Sequence, residues 1–202
     1  MKKFFEQFKN PRGFLGVMAS KIMARSNREL NEWTISLLNL KSDDHVLEIG
    51  YGPGIGIEQV VRFVPDGFVC GLDLSEVSFK EAKKRNRKAI ENHLLELRIG
   101  DVSELPAFSV KFDKIYSVNS IHFWNEPVRA LRHLNHIMNP GGLLASTIQP
   151  REKGATDQTA KQMAAQIKKH MEEAGFENID IKSKDMKPVS AVCILGNRSL
   201  SD

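Results

Sequence analysis

The chain has 202 residues, 41% hydrophobic and 27% charged, with a formal net charge of +4. This length suits one domain with a modest appendage, and its core is large enough to stand without disulfide or metal staples. No apolar run reaches the ~18 residues of a membrane span, so no stable membrane anchor is expected. The two cysteines, Cys70 and Cys193, each lie inside an apolar run. They offer no metal-ligand spacing and read as small buried side chains in a reducing compartment. At the N-terminus, Met1-Lys2-Lys3 is followed by the short apolar stretch Phe14 to Ala19, with Lys21 and Arg25 close behind and no small-residue cleavage site. A cytoplasmic location is therefore expected. Basic residues gather in the first 30 positions and in Lys80 to Lys88. With no accompanying motif they read as solvated faces, and no nucleic-acid partner is expected.

Residues 1–40 read as helical, with Phe14 to Met23 and Leu30 to Leu40 as helices and Asn10-Pro11 and Ser26-Asn27 as breaks. Strand and helix signals then alternate. His45 to Gly50 is a buried strand run, and Gly54 to Val64 is helical with Val60, Val61 and Val64 inward. Phe68 to Asp73 is a second strand. Ser75 then caps a helix reaching about Ile90, because a serine oxygen can accept from first-turn N–H groups. Leu95 to Ile99 and Phe112 to Val118 are the third and fourth strands. Residues 126–139 form a helix with Pro127 in its first turn and Gly141-Gly142 as its end, before a fifth strand, Leu143 to Ile148. A long helix runs from Thr156 to Ala174 and is stopped by Gly175. Ile179 to Ser183 and Ala191 to Gly196 are too close for a helical crossover and should pair antiparallel. The segment Lys182 to Lys187 reads as a polar mobile loop. The fold class is thus α/β: a doubly wound, mostly parallel seven-stranded sheet with an antiparallel C-terminal pair and an N-terminal helical extension. Residues 1–40 would form a cap or lid hinged at Arg25 to Arg28, and residues 41–202 the main domain.

The chemistry concentrates in Glu48-Ile49-Gly50-Tyr51-Gly52-Pro53-Gly54, three alternate glycines between a buried strand and a helix. Glycine reaches positive φ and lets a ligand lie against bare backbone, while the following helix start supplies unpaired N–H groups. This loop alone also fits dinucleotide fingerprints. Two acids narrow it. Asp73 ends the second strand, where a carboxylate accepts ribose hydroxyls. Asp101 ends the third, where a carboxylate accepts from the exocyclic amine of adenine. His133 and His136 lack a third ligand, so no metal is expected.

On these motifs, with Gly100-Asp101-Val102-Ser103-Glu104-Leu105-Pro106, Phe112-Asp113-Lys114-Ile115-Tyr116 and Asn139-Pro140-Gly141-Gly142, the chain resembles the class I S-adenosylmethionine-dependent methyltransferases. The nearest resemblance is to the small ubiquinone/menaquinone-biosynthesis-like (type 11) group, from about Asp44 to Pro150. The resemblance implies S-adenosylmethionine as cofactor, with Glu48, Gly50, Tyr51, Gly52, Gly54, Asp73, Leu74, Asp101, Val102 and Asn119 around it. Gly50 and Gly52 would present backbone to the methionine part. Glu48 would orient the loop or reach the amino group through water. Asp73 would bind ribose, Asp101 and the Val102 backbone would hold adenine, and Asn119 would sit beside the sulfonium and the acceptor. Tyr51 departs from the small or cysteine residue often found there. The fourth strand continues as Asn119-Ser120-Ile121-His122 and lacks the Asn-Pro-Pro-Tyr of enzymes that methylate amines of bases. His122, after that strand, is the candidate general base, or it simply packs or caps its loop. Phe123 and Trp124 would wall an apolar pocket for a small-molecule methyl acceptor, or pack in the core. Two other readings stand beside this one: a non-catalytic binding module on the same fold, and an NAD-dependent oxidoreductase. The second lacks a Tyr-x-x-x-Lys pair and a substrate domain.

Overall fold

The computed structural model describes residues 27–200. Helical residues 27–37 (α1) lead into β1 (His45–Ile49), α2 (Ile55–Val60), β2 (Phe68–Asp73), α3 (Glu76–Arg85), α4 (Arg87–Glu91) and β3 (Leu95–Ile99). They are followed by β4 (Phe112–Val118), α5 (Pro127–His136), β5 (Met138–Ile148), α6 (Asp157–Glu173), β6 (Phe176–Lys184) and β7 (Ala191–Arg198). The strands form one sheet in the order β3-β2-β1-β4-β5-β7-β6. Strands β1 to β5 pair in parallel, while β7 pairs antiparallel with both β5 and β6. The expected architecture is therefore present, closing pair included. Chain order reverses between β1 and β4, which opens a crevice beyond their C-terminal ends, where ligands of such sheets bind.

Period-two alternation sends neighbouring strand residues to opposite faces. Leu47 and Ile49 join Leu72, Ile115, Leu131, Leu134 and Ile167 in one apolar layer. Val46 joins Val69, Tyr116, Ile57, Val60 and Leu38 in the other. Burying a side chain of this size contributes about 1.5–3 kcal/mol, so both layers help hold the sheet between its helices. Helix α1 belongs to the second layer. Leu30 and Leu38 are fully buried, and the Thr34 hydroxyl meets Thr147 of β5 at 2.7 Å.

Several element boundaries differ from the sequence reading. Asn27, read as a break, is already helical, and its carbonyl accepts from the Asn31 side chain at 2.8 Å. Helix α1 ends before Leu40, where Asn39 takes a φ of 49°. Helix α2 stops at Val60, short of Val64. The helix begun at Ser75, whose hydroxyl does accept from the Ser78 N–H, breaks at Asn86 instead of running to Ile90. There the Asn86 amide donates to Gly54 O and Ala82 O, trading helical continuity for a tie to the glycine loop. Helix α5 ends at His136 rather than at Asn139. Asn139 to Gly142 lie inside β5, which shifts register against β4 between Phe112 and Lys114. Lys182 to Lys184, read as a mobile loop, are paired in β6. The expected helix Phe14 to Met23 and the Asn10-Pro11 break lie outside the described residues. Of the expected hinge, Asn27 and Arg28 are part of α1.

Candidate cofactor and acceptor site

Three turns of left-handed backbone build the loop after β1. Gly50, Gly52 and Gly54 have φ of 77°, 50° and 76°, a region that costs an L-residue about 1–2 kcal/mol. The three positions face different surroundings. A Cβ on Gly50 would collide with the Ser120 side chain at the end of β4, and one on Gly54 would come within 2.6–3.0 Å of Asn86 and Ala82. A Cβ on Gly52 would meet nothing within 4 Å. Gly50 and Gly54 are thus glycines for packing, whereas Gly52 borders open space.

Asp73, at the C-terminal end of β2, fastens this loop. Its Oδ2 accepts from Gly52 N at 2.8 Å and its Oδ1 from Ser75 N at 2.9 Å. A carboxylate has about four acceptor positions, so each oxygen keeps one for ribose hydroxyls. At the next strand end, Asp101 Oδ1 accepts from Ser103 N at 2.7 Å and caps a short 3-10 turn, Val102–Glu104. Its Oδ2 is available for an amine. Val102 is buried beneath that turn, while Leu74 and Ile99 are 68% and 48% exposed at the ends of β2 and β3. Large apolar side chains left open beside two acids suit the face of an adenine ring.

Tyr51 turns away from this space. Its ring packs over Gly71 of β2, and its hydroxyl donates to the Arg98 carbonyl at 3.2 Å. Burial and the nearby Asp73 push its pKa upward. Only the Tyr51 backbone faces the loop, and the side chain acts as a peg that anchors it to β2 and β3. Glu48 is also buried, at 2% exposure. Tyr116, its register partner on β4, donates to Glu48 Oε2 at 2.6 Å. Burial is the main cause that raises the Glu48 pKa to about 8, with Asp73 adding to it and the Tyr116 hydrogen bond opposing it. Burial thus favours the protonated form of Glu48, which braces the loop from below.

On the other wall of the crevice, Asn119 adopts a φ of 51° at the end of β4. Asparagine tolerates this conformation better than most residues. Its Oδ1 accepts from Gln149 N at 2.8 Å and its N–H donates to Thr147 O, which ties β4 to β5. His122 follows on the 3-10 turn Ile121–Phe123, its ring 3.9 Å from that of Phe123. Although partly exposed, it is desolvated enough to lower its pKa from 6.5, with Glu152 opposing. Phe123 is 57% exposed. Trp124 instead turns inward and donates from Nε1 to Ser120 Oγ at 3.0 Å. The acids, glycines and Asn119 are thus brought to one edge of the sheet. Of the two aromatics, Phe123 alone stays open beside it.

Several residues that shape this edge were not singled out in the sequence. Ser120 fills the space that Gly50 leaves. Arg85 donates from Nε to Pro53 O at 2.9 Å and, with Arg28 and Arg62, surrounds Glu58. Tyr116 was legible only as a strand residue; pairing β1 with β4 is what puts it opposite Glu48. His133 and His136 stand apart from any metal site, since no group of three ligating side chains occurs among the described residues. A groove of about 450 Å3 between α1 and the far end of α2, lined by Ile35, Leu40, Gln59 and Phe63, lies away from the glycine loop and does not belong to this site.

Comparison with known proteins identifies the family and the fold. A family model described as a methyltransferase domain matches residues 47–146. The "Uncharacterized methyltransferase YdaC" of Bacillus subtilis (strain 168) is 34% identical over 177 residues, which cover 88% of this chain and 96% of that protein. The 27-O-demethylrifamycin SV methyltransferase of Amycolatopsis mediterranei (strain S699) is 27% identical over 128 residues, 62% of this chain but 46% of that protein. A crystal structure of a SAM-dependent methyltransferase from Aquifex aeolicus superposes with a TM-score of 0.68 at 20% identity, over 89% of this chain and 97% of its own.

Proposed function

The chain belongs to the S-adenosylmethionine-dependent methyltransferase family, and from that premise we propose that it transfers the methyl group to a small molecule held beside Asn119 and His122. The observation that carries this reading is the open space at Gly52, bordered by two carboxylates that each retain acceptor capacity. Bound there, S-adenosylmethionine supplies a methyl carbon activated by positive sulfur. The chain's own part is alignment, which can contribute up to about 7–11 kcal/mol.

In this reading Gly50 and Gly52 offer backbone to the methionine part, and Gly54 starts α2 beyond it. Asp73 takes the ribose hydroxyls, with Leu74 beside it. Asp101 and the Val102 N–H take the adenine edge. Glu48 and the Tyr51 ring hold the loop without touching the ligand. Asn119, kept in its left-handed turn by Gln149, lines the sulfonium side. His122, neutral at pH 7 because desolvation lowers its pKa, accepts a proton from the acceptor. The similarity to the 27-O-demethylrifamycin SV methyltransferase supports a small-molecule acceptor, as does the exposed Phe123 at the crevice mouth. No helix among the described residues is long and apolar enough to cross a membrane. The two free buried cysteines fit a cytoplasmic location. The family assignment speaks against a dehydrogenase, and the open Gly52 flanked by Asp73 and Asp101 speaks against a non-catalytic module.

The test is transfer of a labelled methyl group to a panel of small hydroxyl- and amine-bearing acceptors. Wild type should label at least one acceptor. His122→Gln should lower kcat while leaving S-adenosylhomocysteine affinity unchanged. Equal loss of kcat and affinity would remove His122 from the role of base.

A further inference from the structure

Gly56, in the first turn of α2, is crowded by three oxygens. A Cβ there would lie 2.6 Å from Asn31 Oδ1, 2.7 Å from Glu48 Oε1 and 2.9 Å from Glu48 Oε2. The two side chains therefore approach each other across a glycine, with Asn31 Oδ1 and Glu48 Oε1 at most about 5 Å apart. Both are almost wholly buried, at 7% and 2% exposure. The orientation of the Asn31 amide is set, because its Nδ2 donates to Asn27 O at 2.8 Å. That leaves Oδ1 turned to Glu48, and it has no hydrogen-bond partner among the described residues. An orphaned buried acceptor is destabilising, because it gives up its hydration without a replacement partner. Tyr116 already donates to Glu48 Oε2 and the Ile57 N–H reaches the same carboxyl, so only a proton carried by the carboxyl itself, on Oε1, would serve Asn31. Were Glu48 a carboxylate, two acceptors would face each other with no proton between them.

We propose that Asn31 is a positioning residue for the cofactor loop: the Glu48 carboxyl donates its proton to Asn31 Oδ1 and so latches α1 to the strand that begins the loop. The inference rests on the cofactor reading for its consequence, though not for the bond itself. Around Glu48, β4 contributes the Tyr116 donor, β2 the negative Asp73, and α2 the Ile57 N–H. The charged neighbours on the helices are engaged elsewhere: Glu58 with Arg28, Arg62 and Arg85, and Glu32 with Gln59. No cation faces Glu48 among these groups, which is why a proton, rather than an ion pair, completes the junction. One acid then joins α1, β1 and β4 directly beneath the glycine loop. Loss of the proton would put a charge against Asn31 and Asp73, loosening the joint between α1 and the loop.

Infrared spectroscopy of the ligand-free protein tests the bond. Wild type at neutral pH should show the carbonyl band of a buried carboxylic acid. That band should vanish in Glu48→Gln and on titration through about pH 8, and it should shift in frequency in Asn31→Ala, where the acid loses its acceptor. A band absent from wild type, or unchanged by Asn31→Ala, overturns the proposal. Calorimetry with S-adenosylhomocysteine tests the consequence. Wild-type affinity should fall at least about 3-fold above pH 8, whereas Glu48→Gln, whose amide donates to Asn31 at every pH, should stay flat beyond the ligand's own titration. Identical pH profiles for the two proteins would overturn the positioning role. Absence of binding at every pH would instead sink the cofactor reading and leave the infrared result to decide the bond.

Discussion

Replacing Gly52 with alanine separates the ligand's demand for glycine from the fold's. The φ of 50° makes any L-residue strained there, at about 1–2 kcal/mol. The new methyl meets no protein atom within 4 Å, so no packing penalty is added. For a chain of this size, about 2–4 °C of melting temperature is lost per kcal/mol, which gives a drop of about 2–8 °C for Gly52→Ala. The methyl would, however, occupy space assigned to the cofactor. Forcing one extra methylene into a filled site costs about 1–3 kcal/mol, which corresponds to roughly 5- to 150-fold weaker binding of S-adenosylhomocysteine. Gly50→Ala is the contrast. Its Cβ would collide with Ser120 in the absence of any ligand, so strain and overpacking together cost about 2–5 kcal/mol of stability. Scanning calorimetry of both variants, with titration of S-adenosylhomocysteine into each, reads the two effects separately. Wild-type affinity in Gly52→Ala, or a larger loss of stability there than in Gly50→Ala, would refute the placement of the cofactor against this loop.

Further outcomes follow from the same geometry. Removing the Tyr51 hydroxyl with phenylalanine leaves the Arg98 carbonyl without its donor, which should cost about 1 kcal/mol in denaturant unfolding while cofactor affinity stays within about 2-fold. Glu48 has its folded-state pKa raised from 4.5 to about 8, so its protonated form favours the fold below pH 4.5, and that contribution is lost as pH rises through about 8. Chemical denaturation of wild type should show this decline, and Glu48→Gln should lack it. The pH–rate profile should fall on the acid side at a pKa below the 6.5 of an ordinary histidine, because desolvation favours neutral His122. A limb at or above 6.5, or one that survives His122→Gln, would contradict that assignment. Thr156→Ala should cost about 1 kcal/mol in thermal unfolding, since it removes the hydroxyl that accepts from Thr159 N in the α6 capping box and leaves only the Thr159 hydroxyl on the Thr156 N–H.

Much of the sheet was legible because strands such as Phe68 to Asp73 and Phe112 to Val118 are compact, mostly apolar runs bounded by turn residues. The antiparallel pair could be read from the short distance between β6 and β7 alone. Boundaries failed where a side chain answered to something distant in the sequence. Nothing near Asn86 shows that its amide will be claimed by Gly54, 32 residues away. Gly141-Gly142 look like a helix stop, yet the chain had already turned into β5 to meet β4. At the site, Gly50, Gly52, Asp73 and Asp101 were visible because loop glycines and strand-end acids are local signals. Tyr51 was visible but misleading. It sits between two loop glycines, and only the third dimension shows its ring folded over Gly71. Asn31 and Tyr116 were silent for the same reason, since their meaning comes from a buried carboxyl that the fold brings to them.

The central claim is that the crevice above β1, β2 and β3 holds an adenosyl cofactor through Asp73. Calorimetric titration of the purified full-length chain with S-adenosylhomocysteine and, separately, NAD addresses it most directly. S-adenosylhomocysteine should bind with a dissociation constant in the range of about 1–100 μM, NAD should give no binding heat, and Asp73→Ala should weaken the first by about 10-fold or more. Binding of NAD in place of S-adenosylhomocysteine, or an Asp73→Ala variant with wild-type affinity, would contradict the account.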